Sequence, residues 1–81
     1  MPKKWYVYMV ECADGTLYSG VTTDVERRIQ EHNDSPKGAK YTRAKRPVTL
    51  VYTETCTDRS EATKREYAIK QLSREEKLKL I

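Results

Sequence analysis

A chain of 81 residues, 37% hydrophobic and 35% charged, fits one small ordered domain spanning 1–81, with no room for a second. A chain this short buries only about 60% of the surface its unfolded form exposes, so its core is thin. No run approaches the roughly 18 apolar residues of a membrane span, and no apolar core of the signal-peptide kind follows the basic Met1-Pro2-Lys3-Lys4. The expectation is a cytoplasmic protein with no membrane partner. Cys12 and Cys56 are too few for a disulfide scaffold and are not spaced as zinc ligands, so both read as small reduced core residues.

The net charge of +4 is unevenly distributed. Residues 35–46 carry Lys37, Lys40, Arg43, Lys45 and Arg46 and no acid, while the rest of the chain is nearly balanced. The aromatic residues are biased too: six Tyr, one Trp and no Phe.

In chain order, Trp5–Val10 is an aromatic and β-branched run that reads as a strand, and Thr16–Val21 reads as a second. Asp14-Gly15 between them signals a hairpin. Thr23-x-x-Glu26 has the form of a capping box and predicts a helix from Asp24 to about Asn33. Residues 34–47 form a basic loop closed by Pro47, and Val48–Glu54 reads as a third strand. Asp58-x-x-Glu61 starts a helix running to about Leu72, and Ser73-x-x-Glu76 starts a short terminal one. The order ββαβαα predicts an α+β domain built on a three-stranded antiparallel sheet with flanking helices.

Several polar residues occupy positions where the pattern favours apolar ones. Positions 25, 28, 29 and 32 form the inward stripe of the first helix, and they hold Val25, Arg28, Ile29 and His32. The bland reading puts Arg28 and His32 at the rim, snorkelling to water. Glu66 lies between Ala62 and Ile69 on the second helix's apolar side, and its bland reading is a surface pair with Lys70. In the hairpin, a strict two-residue turn would put Tyr8 and Tyr18 on opposite faces. A type I turn with Gly15 as a left-handed bulge residue pairs Val10 with Tyr18. Tyr8, Val10, Tyr18 and Gly20 then share one face, and Val7, Met9, Leu17 and Val21 share the other. The second register yields a coherent apolar face and is preferred. A lone carboxylate beside a basic surface suits one Mg²⁺ whose other ligands are water and phosphate, and an adjacent Arg suits charge building on a phosphoryl group.

These residues resemble the GIY-YIG nuclease domain, in particular its small stand-alone bacterial members. Tyr6-Val7-Tyr8 represents the first motif and Tyr18-Ser19-Gly20 the second, with the two key tyrosines ten positions apart. Arg28 follows Gly20 by eight residues, where the family places its arginine, and His32 comes four later. Arg65-Glu66-Tyr67-Ala68-Ile69-Lys70 matches the segment around the family's glutamate. Tyr6 and Ser19 depart from the family's Gly and Ile. The resemblance implies metal-dependent hydrolysis of DNA phosphodiester bonds, in DNA repair or processing. Glu66 would hold one Mg²⁺ or Mn²⁺, and Arg28 would stabilise phosphoryl charge. Tyr8 would help deprotonate water, Tyr18 would orient water or phosphate, and His32 would assist proton transfer or hold Tyr8. A phenol is a poor base at neutral pH, so this role needs Arg28 or the metal to lower the Tyr8 pKa. Lys37, Lys40, Tyr41, Arg43, Lys45 and Arg46 would contact nucleic acid, with DNA favoured over RNA. A protein partner is one source of targeting for so short a chain. The alternative is a weak or inactive nucleic-acid-binding module that uses the same basic surface.

Overall fold

In the computed structural model, which describes residues 4–34 and 44–81, the hairpin determines how the rest is arranged. Strands β1 (Trp5–Glu11) and β2 (Leu17–Thr22) pair antiparallel with Val10 opposite Tyr18 and Tyr8 opposite Gly20. The turn is the type I turn with a bulge. The Gly15 amide donates to the Cys12 carbonyl at 2.9 Å, and Gly15 adopts a φ of 85°. The Cys12 amide then bonds the Thr16 carbonyl at 2.8 Å. Asp14 completes the turn by accepting from both the amide and the hydroxyl of Thr16. The left-handed glycine thus selects the register that puts both tyrosines on one face.

Strand β3 (Thr49–Cys56) pairs antiparallel with the other side of β1, giving the order β2-β1-β3. It starts one residue later than predicted, because the backbone of Val48 is committed elsewhere. The Val48 amide donates to Asn33 Oδ1 at 2.7 Å, and Asn33 Nδ2 donates back to the Val48 carbonyl at 3.1 Å. It runs on to Cys56 because Trp5 and Tyr6 offer Cys56 and Thr55 ladder partners. Between Met9 and Val10 the register shifts by one residue. Both Val51 and Tyr52 then pack on the same cluster.

Helix α1 (Val25–Asp34) follows β2, and α2 (Arg59–Lys70) and α3 (Arg74–Leu78) follow β3. The predicted caps are partly redistributed. Asp24, not Thr23, caps α1 by accepting from the Arg27 amide, and Thr22 Oγ1 accepts from the Asp24 amide. At α2, Asp58 caps as expected, but the Glu61 carboxylate reaches back one residue further, to the amide and hydroxyl of Thr57. Helix α2 ends at Lys70 rather than Leu72. Its last turn tightens, with the Leu72 amide bonding the Ile69 carbonyl, before Ser73 opens a complete capping box with Glu76.

The sheet separates two apolar clusters. On one face Val7, Met9 and Cys56 pack with Ala62 and Ile69 of α2, joined by Leu17, Val21 and Leu80. On the other, Tyr8, Val10, Cys12 and Val48 pack with Tyr18 and with Ile29 of α1. Cys12 and Cys56 are buried free thiols in separate clusters.

Candidate functional site

The α1 face of the sheet gathers four of the five candidate catalytic residues. Tyr8 alternates with Val7 and Met9 along β1, so it projects to the face they do not occupy. It is 1% exposed, and its hydroxyl lies 2.7 Å from Nε2 of His32. His32 is fully buried, so it does not snorkel from a rim. Its ring stands 5.7 Å from that of Tyr8 and meets the Tyr18 ring edge-on at 5.6 Å. A helix can afford a buried imidazole at this inward position because Tyr8 satisfies one of its nitrogens.

Gly20 makes room for this arrangement. A methyl group there would overlap the Tyr8 hydroxyl and lie 2.7 Å from Cζ, so the glycine opposite Tyr8 is a steric requirement. It needs no unusual backbone angle, unlike Gly15.

Arg28 sits one turn before His32, partly buried, with Nη1 3.2 Å from Oε1 of Glu31. Its guanidinium also favours the ionised phenol of Tyr8 and pulls that pKa down, as the sequence reading required. Burial outweighs that pull, and the Tyr8 pKa rises to about 12. Burial likewise pushes His32 down to about 4, with the charges of Arg28 and Arg46 acting in the same direction. At neutral pH the pair is therefore an uncharged phenol hydrogen-bonded to an uncharged imidazole.

Glu66 arrives by a different route. Helix α2 packs against the opposite cluster through Ala62 and Ile69, and Glu66 lies between them in sequence. Its side chain is 20% exposed and pairs with Lys70 Nζ at 3.0 Å, the contact the bland reading anticipated. Its charge still reaches Tyr8 and adds slightly to the rise of the phenol pKa. Among the described residues no group of three or more His, Cys, Asp or Glu side chains is placed to hold a metal. A half-buried carboxylate already holding a cation fits one hard ion completed by water and phosphate oxygens, and does not fit an all-protein cage.

Of the six residues expected at the nucleic-acid surface, Lys37, Lys40, Tyr41 and Arg43 lie outside the described residues. Lys45 and Arg46 have work within the fold. Lys45 Nζ pairs with Asp14 at 3.0 Å, and its carbonyl accepts from the Ala13 amide, joining this segment to the hairpin turn. Arg46 donates to the carbonyls of His32 and Glu31, satisfying the C-terminal end of α1. Sequence reasoning missed two residues that support the site. Glu31, three residues beyond Arg28, could have been found from helical spacing. Asn33, which ties the end of α1 to the start of β3, carries no sequence signal that separates it from an ordinary helix-end Asn.

Residues 4–79 match the model of the GIY-YIG catalytic domain. The chain is 69% identical over 77 residues to a UPF0213 protein of Desulfotalea psychrophila, covering 95% of this chain and 70% of that relative. It is 60% identical over 72 residues to a UPF0213 protein of Halobacterium salinarum, covering 89% and 92%. Among solved structures it resembles the solution NMR structure of a UPF0213 protein of Bacillus halodurans. There the identity is 51% and the TM-score 0.60, over 95% of this chain and 81% of that one. A protein of E. faecalis solved in the same way is 49% identical with a TM-score of 0.64, over 98% and 84%.

Proposed function

The chain belongs to the GIY-YIG family of nuclease domains, and from that premise we propose that it is an endonuclease hydrolysing DNA phosphodiester bonds with one Mg²⁺ or Mn²⁺. Nucleases of this family generally use divalent metal ions and act on nucleic acid. The observation that carries the reading is the buried Tyr8–His32 hydrogen bond, flanked by Arg28 and Tyr18. A scaffold could fill those positions with apolar side chains at lower desolvation cost.

In this mechanism the oxygen of water attacks phosphorus and the bond to the leaving oxygen breaks, the bonding pair going to that oxygen, which then takes a proton from solvent. The water proton passes to the Tyr8 oxygen as the Tyr8 proton passes to Nε2 of His32, which is neutral and able to accept it. Arg28 faces the charge that grows on the phosphoryl oxygens, and Tyr18 orients water or phosphate beside His32. Glu66 would hold the divalent ion, which would supply Lewis-acid stabilisation when bound. Lys37, Lys40, Tyr41 and Arg43 extend the contact to flanking backbone, and a protein partner is one source of targeting, substrate shape the other. Lys45 and Arg46 serve chiefly as internal struts.

The test is a cleavage panel of nicked, branched, duplex and single-stranded DNA and matching RNA, with Mg²⁺ and with Mn²⁺. Glu66→Ala should lose at least a thousandfold in cleavage while retaining binding; equal activity in the variant would sink the mechanism. Neutralising Lys40 and Arg43 should weaken binding and reduce its dependence on salt. An unchanged salt slope would remove them from the interface. A second reading, an inactive binding module, draws on the Lys70–Glu66 and Glu31–Arg28 pairs, which occupy both charged groups internally. It predicts binding without cleavage across the whole panel.

A further inference from the structure

Helix α2 is attached to the sheet by very little apolar surface. Of its twelve residues only Ala62 and Ile69 are buried, and they lie two turns apart. The turn between them presents Arg65 and Glu66, three and four residues beyond Ala62, where a third apolar residue would ordinarily sit. Two contacts along one line leave rotation about that line weakly determined.

A polar network on β3 supplies the missing constraint. Arg65 Nε donates to both carboxylate oxygens of Glu54, at 2.8 and 3.0 Å. Glu54 stands opposite Val7 on the α2 face of the sheet, and the Tyr52 hydroxyl donates to its Oε2 at 2.7 Å. The carboxylate is thus held from its own strand and from the helix. From this geometry we infer that Glu54, Arg65 and Tyr52 are positioning residues that set the rotation of α2 and thereby aim Glu66. The inference rests on the reading of Glu66 as the metal-holding carboxylate.

Magnitudes favour an aiming role over a stabilising one. The Arg65 and Glu54 side chains are 39% and 30% exposed, and ion pairs in that range contribute little to stability. Adjacent helical residues diverge by about 100°, so anchoring Arg65 towards β3 fixes Glu66 on the other flank of the stripe. At a side-chain radius of roughly 6 Å, a 10° rotation moves a carboxylate by about 1 Å. A displacement of that size can cost about a hundredfold in rate. The carboxylate being aimed is the one whose charge reaches Tyr8.

The test titrates Mn²⁺ into the full chain and follows paramagnetic broadening of the amide signals of residues 62–70. Arg65→Gln and Glu54→Gln should each need at least fivefold more Mn²⁺ for half-broadening, with wild-type signal dispersion retained. Removing the Arg65 cation would by charge alone tighten cation binding, so weakening in that variant is the mark of lost geometry. The exchanged pair, Glu54→Arg with Arg65→Glu, should return to within about threefold of wild type. Tyr52→Phe should shift the titration about twofold, and it decides the matter if Arg65→Gln fails to fold. Single variants that fold and titrate like wild type, or more tightly, overturn the inference. Glu66→Gln separates the two failures. If it abolishes broadening while Arg65→Gln changes nothing, only the positioning role falls. If broadening survives Glu66→Gln, the metal reading falls and the positioning role with it.

Discussion

The two faces of the sheet are built on opposite principles. The α2 face is packed through Val7, Met9, Cys56, Ala62 and Ile69, and its charged residues sit at the margin in an ion pair of ordinary length. The α1 face is packed around Tyr8 and His32, which are almost fully buried and hydrogen-bonded to each other. One strand serves both, because alternation along β1 sends Val7 and Met9 one way and Tyr8 and Val10 the other. A small domain can thus hold a buried polar pair on one face of a sheet whose other face carries an apolar cluster. The first face supplies folding energy, and the second uses some of that energy to hold groups that would rather be hydrated.

Paired substitutions test this division most directly. Tyr8→Phe should cut cleavage by a hundredfold or more and cost about 1–3 kcal/mol, since it leaves Nε2 of His32 buried without its partner. Ile69→Ala on the other face should cost more stability, about 2–5 kcal/mol, and its kinetic loss, which acts only through the seating of α2, should be smaller than that of Tyr8→Phe. Chemical denaturation and single-turnover kinetics on the same samples distinguish the two. Equal kinetic losses from both would mean that the faces are not separable.

Gly20→Ala is the next largest. Its methyl group would displace the Tyr8 ring from His32, with an overpacking cost of about 1–3 kcal/mol and activity falling in parallel. Wild-type cleavage in a stable Gly20→Ala variant would show that the Tyr8 position is not needed.

The smallest effect is a pH dependence. His32 titrates near 4 in the folded state and near 6.5 when unfolded, so only the unfolded chain takes up its proton between those values. Its contribution to stability is complete above pH 6.5 and is lost as pH falls towards 4. Melting curves of wild type should therefore drop more steeply across that window than those of His32→Gln. Parallel curves would place the imidazole in contact with water.

Much of this was readable in the sequence because local rules determined it. Asp14-Gly15 and the apolar alternation selected the hairpin register, and Ser73 and Glu76 formed their box unaided. The inward positions of Arg28 and His32 followed from helical spacing, as did the ambiguous place of Glu66. What was not readable depends on distant partners. The burial of His32 required knowing that Tyr8 would meet it from 24 residues away. The rise of the Tyr8 pKa to about 12 required weighing that burial against Arg28, and spacing alone gives no measure of either. Lys45 and Arg46 looked like part of one basic patch, and only tertiary contacts with Asp14 and the end of α1 set them apart.

The Asn33 clamp has a consequence for how such a domain diversifies. One side chain offers a donor and an acceptor to the backbone of Val48, so the chain leaving α1 is gathered back 15 positions later by a contact that does not involve the residues between. Lengthening the chain between Asn33 and Val48 costs little, since each doubling of a loop adds only about 0.6 kcal/mol of closure entropy, and β3 still enters the sheet in register. Its charge is less free, because Lys45 and Arg46 tie the hairpin turn and the end of α1. A replacement that keeps Asn33, Lys45, Arg46 and Val48 could give the same reaction centre a different grip.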